Sequence, residues 1–223
     1  MMENMLNELA ASYYNDYDFL EMALFRDKTD EVSESETYRP DIGLPMSPFN
    51  EYRMQDTSWA DINIGDNYTI GNNEGTNIAA GCKIVAASQM VSTIVGDEIT
   101  PDIIATWTDT NGGLFRAAIA DELTKRKVNV ETDYWQNQLN SQTLDNIRSS
   151  EGTTYILGHA NIGGGLGDHW VLITDYTVGS NGTITYTVNP SSNNDIGRTF
   201  TSGSNYNSKR YATVDRIETY RIW

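Results

Sequence analysis

The hydrophobic period of this chain changes once, near residue 150, and that change limits the fold it can take. In CKIVAASQMVSTIV (82–95), Ile84, Ala87, Met90, Val91 and Ile94 recur at three- and four-residue spacing, which predicts a helix. A second helix is expected over 100–107, with Thr100 as N-cap and Pro101 in the first helical position. A third is expected near 114–126 (LFRAAIADELTKR), and a fourth near 141–150 after Ser141. Further along, TTYILGHA, HWVLITDYTV, TITYTVN and RIETYRIW are rich in Thr, Val, Ile and Tyr and are separated by Gly and Asn, which predicts strands. Helices first and strands later is the α+β order, not the alternation of a βαβ fold. No internal repeat is evident.

The part before residue 50 has a different character. Leu6, Leu9, Ala10, Tyr13, Tyr17, Leu20 and Leu24 fall near one stripe, so residues 1–25 are expected to form an amphipathic helix. It would either pack on the main domain or dock a protein partner. Residues 26–48 carry Glu31, Glu34, Glu36, Pro40, Pro45 and Pro48, and this acidic, Pro-containing stretch reads as a linker. A main domain is expected over 49–223.

Hydrophobic content of 39% and charged content of 21% are those of a soluble globular chain. No run of about 18 apolar residues exists to span a membrane, and the start MMENMLNELAASYYND has acids where a secretory signal carries Lys or Arg. Synthesis in the cytoplasm is the expectation, and association with a virion is a second setting left open. With 31 Asp and Glu against 15 Lys and Arg, the net charge is −16. Phosphate neutralisation drives nucleic-acid binding, so a nucleic-acid partner is not expected. One cysteine forms no internal disulfide, which removes the disulfide-scaffold class.

That single cysteine, Cys82, is the residue on which function turns. Free cysteines commonly pack as small hydrophobes, but a thiol at a helix N-terminus beside an imidazole becomes a nucleophilic thiolate. Cys82 follows Gly81 at the start of the first helix, and the chain has only two histidines, His159 and His169. His169 opens a strand just after the glycine run IGGGLGD (162–168), which reads as a flexible lip and not a phosphate loop. That placement favours His169 as the base.

A third group should orient the imidazole. Asn189, at the end of TITYTVNP, is one candidate, although a two-residue turn at Ser180-Asn181 would set it opposite Leu172, on the other face from His169. Asn193, Asn194 and Asp195 are the others. Gln55 could supply an oxyanion donor together with the backbone N–H of Cys82. His159 and His169 lack the third ligand and the spacing of a zinc site. DINIGDNYTIGN lacks the Gly and Glu of an EF-hand loop. No metal or cofactor is expected. Asn67-Tyr-Thr and Asn181-Gly-Thr match the glycosylation pattern and carry little weight without an export signal.

In order, MQDTSWA, YTIGNNEGTNIAAGCKIVAASQMVS, TPDIIATWTDTNGG, GDHWVLITDY and VNPSS resemble the papain-like cysteine peptidase clan. Within it, the chain is similar to the bacteriocin-processing (double-glycine leader) peptidase family in its soluble stand-alone form. The resemblance covers about residues 50–200. It implies a nucleophile helix packed on an antiparallel sheet, with Cys82 as nucleophile, His169 as base, Asn189 as the orienting residue and Gln55 in the oxyanion hole. Many relatives have Gly after the cysteine and Asp before the proline, where this chain has Lys83 and Asn189. The implied activity is hydrolysis of a peptide bond in a protein or cell-wall peptide. An inert binding or structural component on the same fold, such as one in a phage particle, is the alternative.

Overall fold

A computed structural model describes residues 50–65, 68–75, 78–110, 115–136, 139–148, 151–162, 168–192, 199–203 and 212–223. The chain divides into two units, Met1–Pro40 and Asp41–Trp223, and every described residue belongs to the second. The helix expected over 1–25, the linker over 26–48 and the glycines of the lip at 163–167 lie outside the described residues.

The first described helix, α1 (Cys82–Val95), buries every residue from Ile84 to Ser92 as well as Cys82. A helix buried on all sides belongs at the centre of a domain, and its polar side chains then need partners. Gln89 Nε2 donates to the carbonyls of Tyr52 (3.0 Å) and Pro190 (2.8 Å). Ser92 Oγ donates to Ile99 O at 3.0 Å, and Ser88 Oγ reaches the same carbonyl. The helix stops at Gly96, whose φ of 74° is left-handed and whose N–H returns to Ser92 O. At the other end, a Cβ on Gly81 would come within 2.6 Å of the Ile70 backbone, so only glycine lets the chain pass there.

Pro101 is the first residue of α2 (Pro101–Thr110), which runs past the expected end. Then come α3 (Phe115–Lys125) and α4 (Ser141–Arg148). The start of α4 differs in one detail from the sequence reading. Ser141 is already helical, and the cap is Asn140, whose Oδ1 accepts the Thr143 N–H at 2.9 Å.

The strands form two sheets among the described residues. A three-stranded one, β1 (Asn63–Gly65), β2 (Tyr68–Thr69) and β3 (Ile78–Ala79), precedes α1. The larger has six strands: β4 (Val130–Gln136), β5 (Thr153–Ile162), β6 (Asp168–Val178), β7 (Ile184–Asn189), β8 (Thr199–Thr201) and β9 (Ala212–Ile222). Their order is β4-β9-β5-β6-β7-β8 and all pairings are antiparallel. The fold is therefore α+β.

Alternate strand residues point to opposite faces of the sheet. Tyr155, Leu157, Leu172 and Tyr220 pack with Val85, Met90 and the rest of α1. Ile156, Val171, Ile173 and Ile217 face the other way, where Leu144 and Ile147 of α4 cover them. No described helix is long and apolar enough to cross a membrane.

Candidate active site

Cys82 is the first residue of α1, and the first bond of the helix ladder is Val85 N–H to Gly81 C=O at 2.9 Å. The amides of residues 82–84 thus precede the ladder and point out of the helix end. The Lys83 amide is hydrogen-bonded to the Cys82 thiol, as is the Trp170 N–H of β6 at 3.4 Å. The His169 side chain makes a further hydrogen bond to that thiol. Burial pushes the thiol up, but the hydrogen bond and charge of His169, with the two amides, outweigh it and hold the group below its ordinary value.

The geometry follows from where two strands part. The β6–β7 ladder contains an irregularity between Ile173 and Asp175, and its last pair is Leu172 with Asn189. Pro190 follows and has no N–H to continue the ladder. Beyond that point the main chain of Trp170 finds other partners. Its N–H meets the Cys82 sulfur, and its C=O accepts from Ser191 Oγ at 2.9 Å. Ser191 Oγ also lies 3.2 Å from His169 Nε2. Because the hydroxyl hydrogen goes to Trp170 O, the serine accepts from the ring, which assigns the proton of neutral His169 to Nε2. Nδ1 is then the basic nitrogen of the neutral ring.

Of the four residues singled out in the sequence, two make direct contact and a third stands beside the turn that meets the His169 ring. Cys82 and His169 are bonded partners. Gln55 stands next to the Ser191–Ser192 turn, where its Nε2 donates to Ser192 Oγ at 3.1 Å. Its segment is stitched to the same turn by Met54 N–H to Ser191 O (2.9 Å) and by Arg53 to Pro190 O. Asn189 is the correction. It opposes Leu172 as the register predicts, its Nδ2 donates to Asn50 O at 3.2 Å, and its Oδ1 is buried with no hydrogen-bond partner among the described residues. The ring contact belongs to Ser191 instead. Asn193, Asn194 and Asp195 lie outside the described residues.

The sequence does not single out Ser191, although one signal points past Asn189. A residue on the wrong face of β7 leaves the contact to be made after the strand ends, and the next side chains there are Ser191 and Ser192. The donation by the Trp170 amide is a backbone property and leaves no mark in the sequence.

His159 is a separate matter. It is buried, its Nδ1 lies 2.6 Å from Asp215 Oδ1, and Arg216 Nη2 lies 2.9 Å from its Nε2. Its ring packs against Trp170 with centroids 5.1 Å apart. Among the described residues no group of three or more His, Cys, Asp or Glu side chains is arranged to hold a metal ion.

Fold and site together define a helix-start thiol paired with a strand histidine on an α+β scaffold. No known protein-family model matches the chain, and no curated protein matches it either.

Proposed function

We propose that this chain is a papain-like cysteine peptidase that cleaves a peptide bond in a protein or cell-wall peptide. One observation carries the reading: the Cys82 thiol, held below its ordinary value at the start of α1, is hydrogen-bonded to a histidine whose Nε2 is fixed by Ser191. Neither a helix start nor a lone imidazole alone does as much as the two combined.

In the resulting mechanism His169 Nδ1 takes the thiol proton, giving a thiolate–imidazolium pair. The thiolate attacks the peptide carbonyl, and the oxyanion is met by the Cys82 backbone N–H and the Gln55 side-chain amide. The imidazolium then protonates the leaving amine. Water, losing a proton to the same ring, attacks the thioester and releases the acid with the free thiol restored.

A second reading has its own observation. Cys82 is only 9% exposed, which suits an inert binding or structural module, and an apolar burial site opposes thiolate formation. The pH dependence of iodoacetamide labelling separates the two, because the chain has a single cysteine. Fast labelling well below pH 8.5 that is lost in His169→Ala supports the peptidase. Labelling that begins only near about pH 8.5, the value of a free thiol, leaves the inert module.

A further inference from the structure

The two backbone donors on the Cys82 sulfur come from residues whose side chains also meet. Lys83 lies on α1 and Trp170 on β6, yet Lys83 Nζ stands 4.4 Å from the centroid of the Trp170 ring. The same ammonium is 4.6 Å from the Phe115 ring and 2.6 Å from Glu218 Oε1 on β9. Glu218 is buried, and its other carboxylate oxygen accepts from Tyr220 Oη at 3.2 Å. His159 contributes a further ring contact to the indole and is itself held by Asp215 and Arg216.

We propose that Lys83, Trp170 and Glu218 form a side-chain brace that keeps the Lys83 and Trp170 amides together on the sulfur. This rests on the peptidase reading and adds positioning residues to it. A cation over an indole is attracted to the ring face, and an ammonium paired with a buried carboxylate has little freedom to leave. Because each side chain starts from an amide that faces Cys82, fixing the two side chains fixes the spacing of the amides. The ammonium acts through position and not through its own charge. Glu218 compensates that charge, and the electrostatic support for the thiolate comes from His169. Where many members of the resembled family have Gly, Lys83 therefore serves the site by joining the helix start to the sheet.

The test uses the intact chain and iodoacetamide labelling from pH 5.5 to 9.5. Lys83→Met alone would strand a buried carboxylate, so the informative variant is Lys83→Met with Glu218→Gln. It is expected to label about tenfold more slowly at pH 6.5, the loss of much of one hydrogen bond to a charged acceptor, with an unchanged rate at pH 9.5. Lys83→Arg keeps the ion pair and the contact with the indole, and is expected to retain the wild-type profile. Glu218→Gln alone is the milder second variant and should slow labelling at pH 6.5 in the same direction. If the variants melt at a lower temperature but keep the wild-type labelling profile, the cluster is structural and the proposal is overturned. If wild type itself lacks the fast low-pH labelling, the peptidase reading falls first and takes the brace with it. A wild type that labels fast and loses this in His169→Ala, beside brace variants that do not respond, removes the brace alone.

Discussion

Ser191→Ala is the substitution that most directly probes the site. Ser191 is fully buried, and its hydroxyl donates to Trp170 O at 2.9 Å and lies 3.2 Å from His169 Nε2. Methyl replacement leaves a carbonyl and a ring N–H without that partner. An orphaned buried polar group costs about 1–3 kcal/mol, and a hydrogen bond to a charged group is worth about 1.5–3 kcal/mol. When the thiol proton has moved to the ring, the Nε2–H bonded to Ser191 belongs to a cation, so the lost bond falls on the thiolate–imidazolium state. The sign is then fixed: the pair forms less readily and low-pH labelling weakens. We expect the iodoacetamide rate at pH 6.5 to fall at least about tenfold, with global stability down by about 1–3 kcal/mol. Mass spectrometry of the labelled chain reads the first and urea denaturation the second. Asn189→Ala should cost stability through its bond to Asn50 O and leave the labelling profile in place. The opposite pattern, a wild-type profile in Ser191→Ala and a collapsed one in Asn189→Ala, would refute the assignment.

Three further outcomes follow from the same structure. Gln55→Ala should leave iodoacetamide labelling untouched and lower kcat on a cleaved peptide by about 10²-fold, the usual loss for one oxyanion donor; equal losses in both assays would place Gln55 in thiol activation instead. Gly81→Ala sets a Cβ 2.6 Å from the Ile70 backbone and should lower the urea midpoint by the equivalent of about 1–3 kcal/mol, the range for overpacking. Burial raises Tyr155, Tyr186 and Tyr220 above the ordinary value of 10.0, with Glu218 adding to the effect at Tyr220. Their protonated form is favoured by folding, so that stability is whole below pH 10 and falls as pH rises beyond it, by up to about 1.4 kcal/mol per pH unit for each tyrosine. Urea midpoints between pH 9 and 11, with tyrosinate absorbance, check this; tyrosinate formed in the folded chain without a change in midpoint would contradict it.

What could be read in advance depended on how local the cause was. The apolar spacing in 82–95 places α1 because the helix period is a property of a few turns. The β6–β7 register was legible for a similar reason, and Asn189 does oppose Leu172. The route to that pair was not legible: the hairpin pairs Val178 with Ile184, one step wider than a two-residue turn, and the irregularity near Asp175 takes the step back. The strands β1 to β3 are two or three residues long and carry too little pattern to be seen. Ser191 was hidden because its place is set from afar, by Met54, Arg53 and Gln89 gripping the turn after β7. Lys83 stands out in the sequence as a departure from the resembled family, but its ion-pair partner, Glu218, lies 135 residues away.

The position of β9 bears on the order of events in folding. β9 lies between β4 and β5 although it follows β8 in the chain, pairing Ile222 with both Val130 and Thr153. Until it arrives, β4 has no strand to join it to β5, and such distant pairings are slow to form. Glu218 comes with it. A nascent chain that already contains Cys82 and His169 therefore waits for β9 before Lys83 gains its anchor, so thiol reactivity should be acquired last. Brief iodoacetamide pulses at pH 6.5 during refolding would show this as labelling that lags behind helix formation, and simultaneous onset would argue against it. On the peptidase reading proposed above, a cysteine made this way would be quiet while the chain is still exposed and reactive only once the fold encloses it.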